Sequence, residues 1–320
     1  MSSPITAARR STTSPARGFL LVVLAALCWG TSGLTGHVVA ERSGLDPLDI
    51  AWHRMAVGAA ALLAVHLVRA RGAGPLRARG TWRRLVAVGA GLAIYQSAYF
   101  AAVATAGVSI ATLVSLGLAP LLVAVGAAVL GHGRPDRATG AALAVALAGL
   151  VLLVGVSAGG DNGKAVLLGA LSAVACAVAY AGVVLVSSRV PDGVPTTTAG
   201  FVAGAVLLTP VALTPRLDLT TDPLSLALLP YLGLVPTALA YGLFFAGVRA
   251  VPAAVASIVT LLEPLTATAL ATAVLGERLA PTALLGGLLM LGAVTALYVR
   301  RMGDSNSRGL APNPLSKRAP

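Results

Sequence analysis

The chain has 320 residues, of which 57% are apolar and only 11% charged, with a formal charge of +12. Soluble domains carry about 25% charged residues, so a mean hydropathy of +0.87 excludes an ordinary water-facing fold, whose surface needs polar cover. The apolar share is mostly Ala, Leu, Val and Gly, with 4% aromatics, and such small side chains let helix backbones approach closely in lipid.

Crossing a hydrocarbon core of ~30 Å takes about 20 apolar residues in a helix. In chain order the apolar runs are Gly18–Ala40, Ile50–Val68, Leu85–Ala104, Val108–Leu130 and Thr139–Val156. A polar break, Ser157–Lys164, separates them from Ala165–Val186, Thr198–Leu213, Leu224–Val248, Ala253–Leu275 and Pro281–Val299. The expected fold is therefore all-α and integral to the membrane, with ten transmembrane helices, because lipid offers the backbone no other hydrogen-bond partner. Arg9, Arg10 and Arg17 precede the first run; its length exceeds a signal-peptide core, so it reads as a retained helix. Residues 1–17 are expected to form a basic cytoplasmic tail and 302–320 a disordered one.

Basic residues set the orientation. With the N-terminus inside, 18 of the 23 Lys and Arg fall on inner links and tails, and only Arg42, Lys164, Arg216 and Arg278 on outer links. That imbalance places both termini in the cytoplasm. The positive charge then reflects topology, and nucleic acid is not an expected partner.

The halves resemble one another. At an offset of 144, Tyr99–Pro120 aligns with Leu243–Pro264, matching Phe100 with Phe244 and Pro120 with Pro264. Each proline is followed by an apolar stretch ending in Leu-Gly, at Leu130-Gly131 and Leu275-Gly276. Five helices per copy is odd, so the second copy enters from the opposite face. Such inverted repeats, here 18–156 and 163–301, are a transporter architecture with a site near the midplane.

The run Tyr241–Leu279, with Glu263-Pro264 and Leu275-Gly276-Glu277, closely resembles the end of an EamA-type repeat of the drug/metabolite transporter superfamily. Trp29-Gly30 and the stretch Pro47 to Arg54 resemble the opening of the first repeat. The resemblance covers roughly 18–301. It implies a ten-helix fold that moves metabolites, often exporting amino acids or related solutes. The first copy departs from the pattern, with Ala119 opposite Glu263 and His132 opposite Glu277.

Polar residues inside the spans are few. Glu263 reads as a midplane carboxylate, which must pair, protonate or face water, beside Pro264, a helix kink. It could bind and release a proton in a transport cycle, or hold a solute's amine. Arg54 could snorkel to the interface, hold an anionic group or pair with Glu263. Tyr95 and Tyr99 share a face at i, i+4, and Trp29, Tyr180, Tyr241 and Phe245 are placed towards a central cavity. Pro120 is the other expected kink. Trp52 and Tyr231 are assigned to an interfacial aromatic belt, His53 and His66 to the interfaces, and Gly200 with Gly204 to a helix contact. Cys28 and Cys176 are two buried small residues.

The sequence contains no P-loop, metal-ligand spacing or nucleophile with a plausible base, so no cofactor or metal is expected and ATP-driven pumping is not. The expected function is secondary transport of small, amino-acid-like solutes by alternating access, outward across the cytoplasmic membrane. The alternative is a membrane-embedded scaffold or enzyme with no transport activity. Small-molecule substrate and lipid are the expected partners; the oligomeric state is left open.

Overall fold

A computed structural model describes residues 15–69, 81–130, 137–157, 163–191, 194–213, 220–251, 256 and 259–309. Every regular element among them is a helix. They are α1 (Pro15–Ser43), α2 (Pro47–Arg69), α3 (Trp82–Val129), α4 (Arg137–Ser157), α5 (Gly163–Ser187), α6 (Thr196–Ala212) and α7 (Pro223–Gly233). A π-helical turn, Leu234–Leu239, joins α7 to α8 (Ala240–Gly247), and α9 (Leu262–Leu275) and α10 (Pro281–Gly309) follow.

Proline and glycine mark the ends. Pro47 and Pro281 open α2 and α10, where a missing N–H has no intrahelical partner to lose. Gly276 closes α9 in the left-handed conformation at φ 68°, as glycine commonly does past a helix end, and the Glu277 N–H then reaches back to the Ala271 carbonyl at 3.2 Å.

Five helical runs are long and apolar enough to cross a membrane: Ala16–Ser43, Pro47–Val68, Trp82–Val129, Gly163–Ser187 and Pro223–Gly247. Four more apolar helices are shorter: Gly140–Leu153, Thr196–Pro210, Leu262–Leu275 and Pro281–Ala296. Large apolar side chains stand fully outward on the bundle, among them Val151, Leu168, Val206 and Leu288. A water-soluble protein rarely exposes so much; here they form the lipid-facing side.

Small residues bring the helices together. A Cβ at Gly149 would lie 2.5 Å from the Gly286 carbonyl, and the reverse holds at Gly286, so α4 and α10 touch backbone to backbone. Gly89 abuts Ala203 and Gly204 to join α3 to α6, and Gly200 rests on Val88 and Leu92. The Gly200/Gly204 pair is therefore a helix contact. Cys176 is buried and Cys28 half-buried, both as free thiols.

The third and fourth predicted spans are the two limbs of α3, 82–106 and 108–129, which part at the non-helical Gly107 (φ 83°, ψ 166°). Two features differ from the sequence reading. Glu263 and Pro264 are not in the middle of a helix. They occupy the first turn of α9, where the proline's missing N–H breaks no bond and the Thr260 carbonyl accepts from Glu263 N at 3.0 Å. Finally, α10 continues as helix through 302–309, part of the tail expected to be disordered. Residues 1–14, 158–162, 252–255 and 310–320, and His132, lie outside the described residues.

Candidate functional site

Arg54 is a buried and bonded charge inside the bundle. Its side chain is 5% exposed, too deep for the snorkelling alternative. It is held by the π-helical turn opposite. Pro236 has no N–H to give the Leu232 carbonyl one turn back; the Thr237 hydroxyl donates to that carbonyl instead, at 3.0 Å. The same hydroxyl oxygen accepts from Arg54 Nε at 3.1 Å, and the Pro236 carbonyl accepts from Nη2 at 3.4 Å. The Phe100 ring lies 5.9 Å from the guanidinium carbon, within cation–π range. Glycine permits this approach, because Gly58 packs on Thr237 and Gly233 on Val57.

From this anchor a cavity of about 500 Å³ extends between α1, α2, α3, α5, α8 and α9. Trp29, Arg54, Tyr95, Tyr99, Tyr180, Tyr241, Phe245 and Glu263 all line it, together with Pro120 and Pro264. The structure thus brings every sequence-selected side chain to one space. Glu263 is set there by α1: a Cβ at Gly30 would lie 3.0 Å from the Glu263 carbonyl. No ion pair within 4.0 Å joins Glu263 to Arg54; the ion pairs among the described residues are His37–Glu41 and Arg42–Asp222.

The aromatic walls pack ring against ring, edge to face, tilted and stacked. Trp29 meets Tyr241 at 5.3 Å and Phe244 at 5.2 Å, and Tyr241 stacks on Phe245 at 6.1 Å. Tyr95 tilts against Tyr180 at 5.4 Å on the other side. The Tyr99 hydroxyl is bonded to Thr112 Oγ1 at 3.0 Å, so it is already partnered. A cavity with one carboxylate, one guanidinium and aromatic sides can enclose a small solute with both charges and an apolar body.

Residues the sequence reading did not select also line it, notably Phe244 and Ser32. The Ser32 hydroxyl is buried with no partner among the described residues, a polar group that a bound solute or water would satisfy. Its only sequence signal is a serine inside an apolar run. Of the two aromatics assigned to a belt, Tyr231 donates to Thr31 Oγ1 at 3.0 Å and Trp52 Nε1 to Thr209 Oγ1 at 3.1 Å, so both also join helices. His53 turns its ring to the Asp49 carbonyl at 2.8 Å, and neither it nor His66 lines the cavity.

Comparison with known proteins gives the family. The chain is 32% identical over 279 residues to the uncharacterized transporter YwfM of Bacillus subtilis (strain 168), covering 85% of this chain and 91% of that protein. A solved chain described only as the crystal structure of a protein superposes with a TM-score of 0.62 at 25% identity, covering 89% of this chain and 97% of its own. A family model described as the EamA-like transporter family matches twice, over residues 16–155 and 165–299. The chain is a multi-pass membrane transporter and belongs to the EamA-like transporter family of the drug/metabolite transporter superfamily.

Proposed function

We propose that the chain is a secondary transporter that carries small, amino-acid-like solutes outward across the cytoplasmic membrane by alternating access. The observation that carries this reading is the central cavity, where Arg54 and Glu263 share the lining without pairing. A solute carboxylate would take the guanidinium donors, which suit a planar bidentate acceptor. Its ammonium would take Glu263, and the aromatic walls its apolar part.

The scaffold is read as ten crossings in two inverted five-helix copies, with α3 supplying two of them through its bend at Gly107. The double family match and the meeting of Pro120 with Pro264 at one cavity support the duplication. The lining residues Val123, Val184 and Phe245 lie near the C-terminal ends of α3, α5 and α8. Those ends are cytoplasmic if the basic links are, so the cavity is read as inward-facing. Purified protein in lipid vesicles, preloaded with unlabelled amino acids, tests the function. Counterflow accumulation of one labelled amino acid is the expected result; no accumulation of any across a full panel overturns the solute class.

A further inference from the structure

Gly107 has a backbone conformation that only glycine adopts readily, at φ 83° and ψ 166°. The first two N–H groups of the limb that follows are held by a side chain from the far half of the chain. Val108 N donates to Glu277 Oε1 at 2.7 Å and Ser109 N to Oε2 at 3.0 Å. A carboxylate at a helix N-terminus satisfies orphan donors and complements the dipole. A Cβ at residue 107 would lie 2.8 Å from Oε1, so the glycine is required twice over. Glu277 reaches this point because the left-handed Gly276 turns the chain at the end of α9.

The contact lies between two spaces. On one side is the central cavity, lined by Tyr99. On the other is an open depression of about 310 Å³, lined by Ala106, Gly107, Ile110 and Glu277. Between them Tyr99, Thr112 and Val108 close against α1 at Gly33, where an added Cβ would meet the Tyr99 hydroxyl and Val108 Cγ1, each at 2.7 Å. We infer that Glu277 is a gating residue, whose carboxylate latches the α3 bend to the α9–α10 link and seals one mouth of the cavity.

The two copies do not carry matching latches. His132 follows the first copy's Leu130-Gly131 where Glu277 follows the second copy's Leu275-Gly276, so the first copy has no carboxylate at that place. A two-point carboxylate clamp therefore belongs to one mouth only, and the resting state is biased towards that mouth closed. This rests on the transporter reading for its purpose, but its test involves no solute.

Spin labels at Ala104→Cys and Arg278→Cys, with Cys28→Ser and Cys176→Ala, report the gap across the latch in vesicles by pulsed electron resonance. Glu277→Gln keeps the side chain's size but loses the charge and one acceptor, so the long-distance population should rise about tenfold. A carboxylate that only stabilised the fold would lower the melting temperature and leave the distances unchanged, which overturns the proposal. Should the Gln variant not reach the membrane, Ser32→Cys, on the cavity side of the seal, in the same cysteine-free background with Glu277 intact and the reagent outside intact cells, provides a second reading. Slow labelling by an impermeant maleimide supports a latch that opens; none, against full labelling after denaturation, overturns it. A chain that transports no solute would fail the counterflow assay while leaving both readouts as they are.

Discussion

At the scale of single residues, lipid makes the sequence unusually readable. A carboxylate or guanidinium cannot face hydrocarbon cheaply, so Glu263 and Arg54 had to point inwards, and Trp29 and four of the six tyrosines share one cavity with them. What the sequence hid was partnership. Thr237 is an unremarkable threonine until Pro236 removes an N–H and leaves the Leu232 carbonyl for its hydroxyl. Glu263→Gln separates the roles open to that carboxylate, because it keeps the shape and removes the charge. If Glu263 couples protons, the variant should lose the pH dependence of transport and keep counterflow exchange. If it holds the solute's amine, both should fall together, by about 2 kcal/mol or more in apparent affinity for a buried charge partner. Normal transport across the pH range, at normal expression, removes both roles.

At the scale of helices, the length and apolarity of each run were legible, and so was the break between residues 104 and 108, while what holds that break was not. Its glycine, Gly107, is one of 36, and the Glu277 side chain that it accommodates comes from the far half of the chain. The short α9 follows from Pro264 taking a first-turn position rather than kinking a longer helix. Backbone contact at Gly149 and Gly286 predicts that Gly149→Leu separates α4 from α10, since the new side chain meets a carbonyl that cannot retreat. Overpacking of this kind costs about 1–3 kcal/mol or more, visible as a clear drop in melting temperature in detergent, with Gly140→Leu unchanged because nothing lies within 4 Å of it. The start of α7 predicts a pH effect. Asp222 accepts from Arg42 at 2.8 Å and caps the helix at Ser225 N, also 2.8 Å. The guanidinium first, then the Ser225 bonds, hold its carboxyl well below the usual carboxylate range. A group lowered in this way adds stability above its unfolded value near 4 and loses it as pH falls towards the folded one. Asp222→Asn should therefore melt earlier than the parent at pH 7, and the gap should narrow steadily as pH drops below 4; a constant gap would remove the ionic contribution.

At the scale of the whole molecule, the contacts between helix ends bear on the number of crossings. Arg42 at the end of α1 holds Asp222 at the start of α7, so the links after α1 and before α7 lie on one side. Arg84 at the start of α3 donates to the Arg189 carbonyl just beyond α5 at 2.7 Å, which puts those two ends together. Glu277, past the end of α9, is bonded at the α3 bend; a single straight crossing by α3 would leave that bond in mid-membrane. Ten crossings satisfy all three constraints, with the first and third pairs outside and the second inside if the basic links are cytoplasmic. Reporter fusions after Ala73 and Met302 should then read cytoplasm, and fusions after Asp161 and Pro215 the exterior. The four sites discriminate because each half contributes one inner and one outer position. Loss of one crossing from the first half beyond α2 would reverse Asp161, Pro215 and Met302 while leaving Ala73 unchanged. An exterior signal at Ala73 would instead remove both the helix count and the orientation, and with them the assignment of the mouth sealed by Glu277 to the outer side.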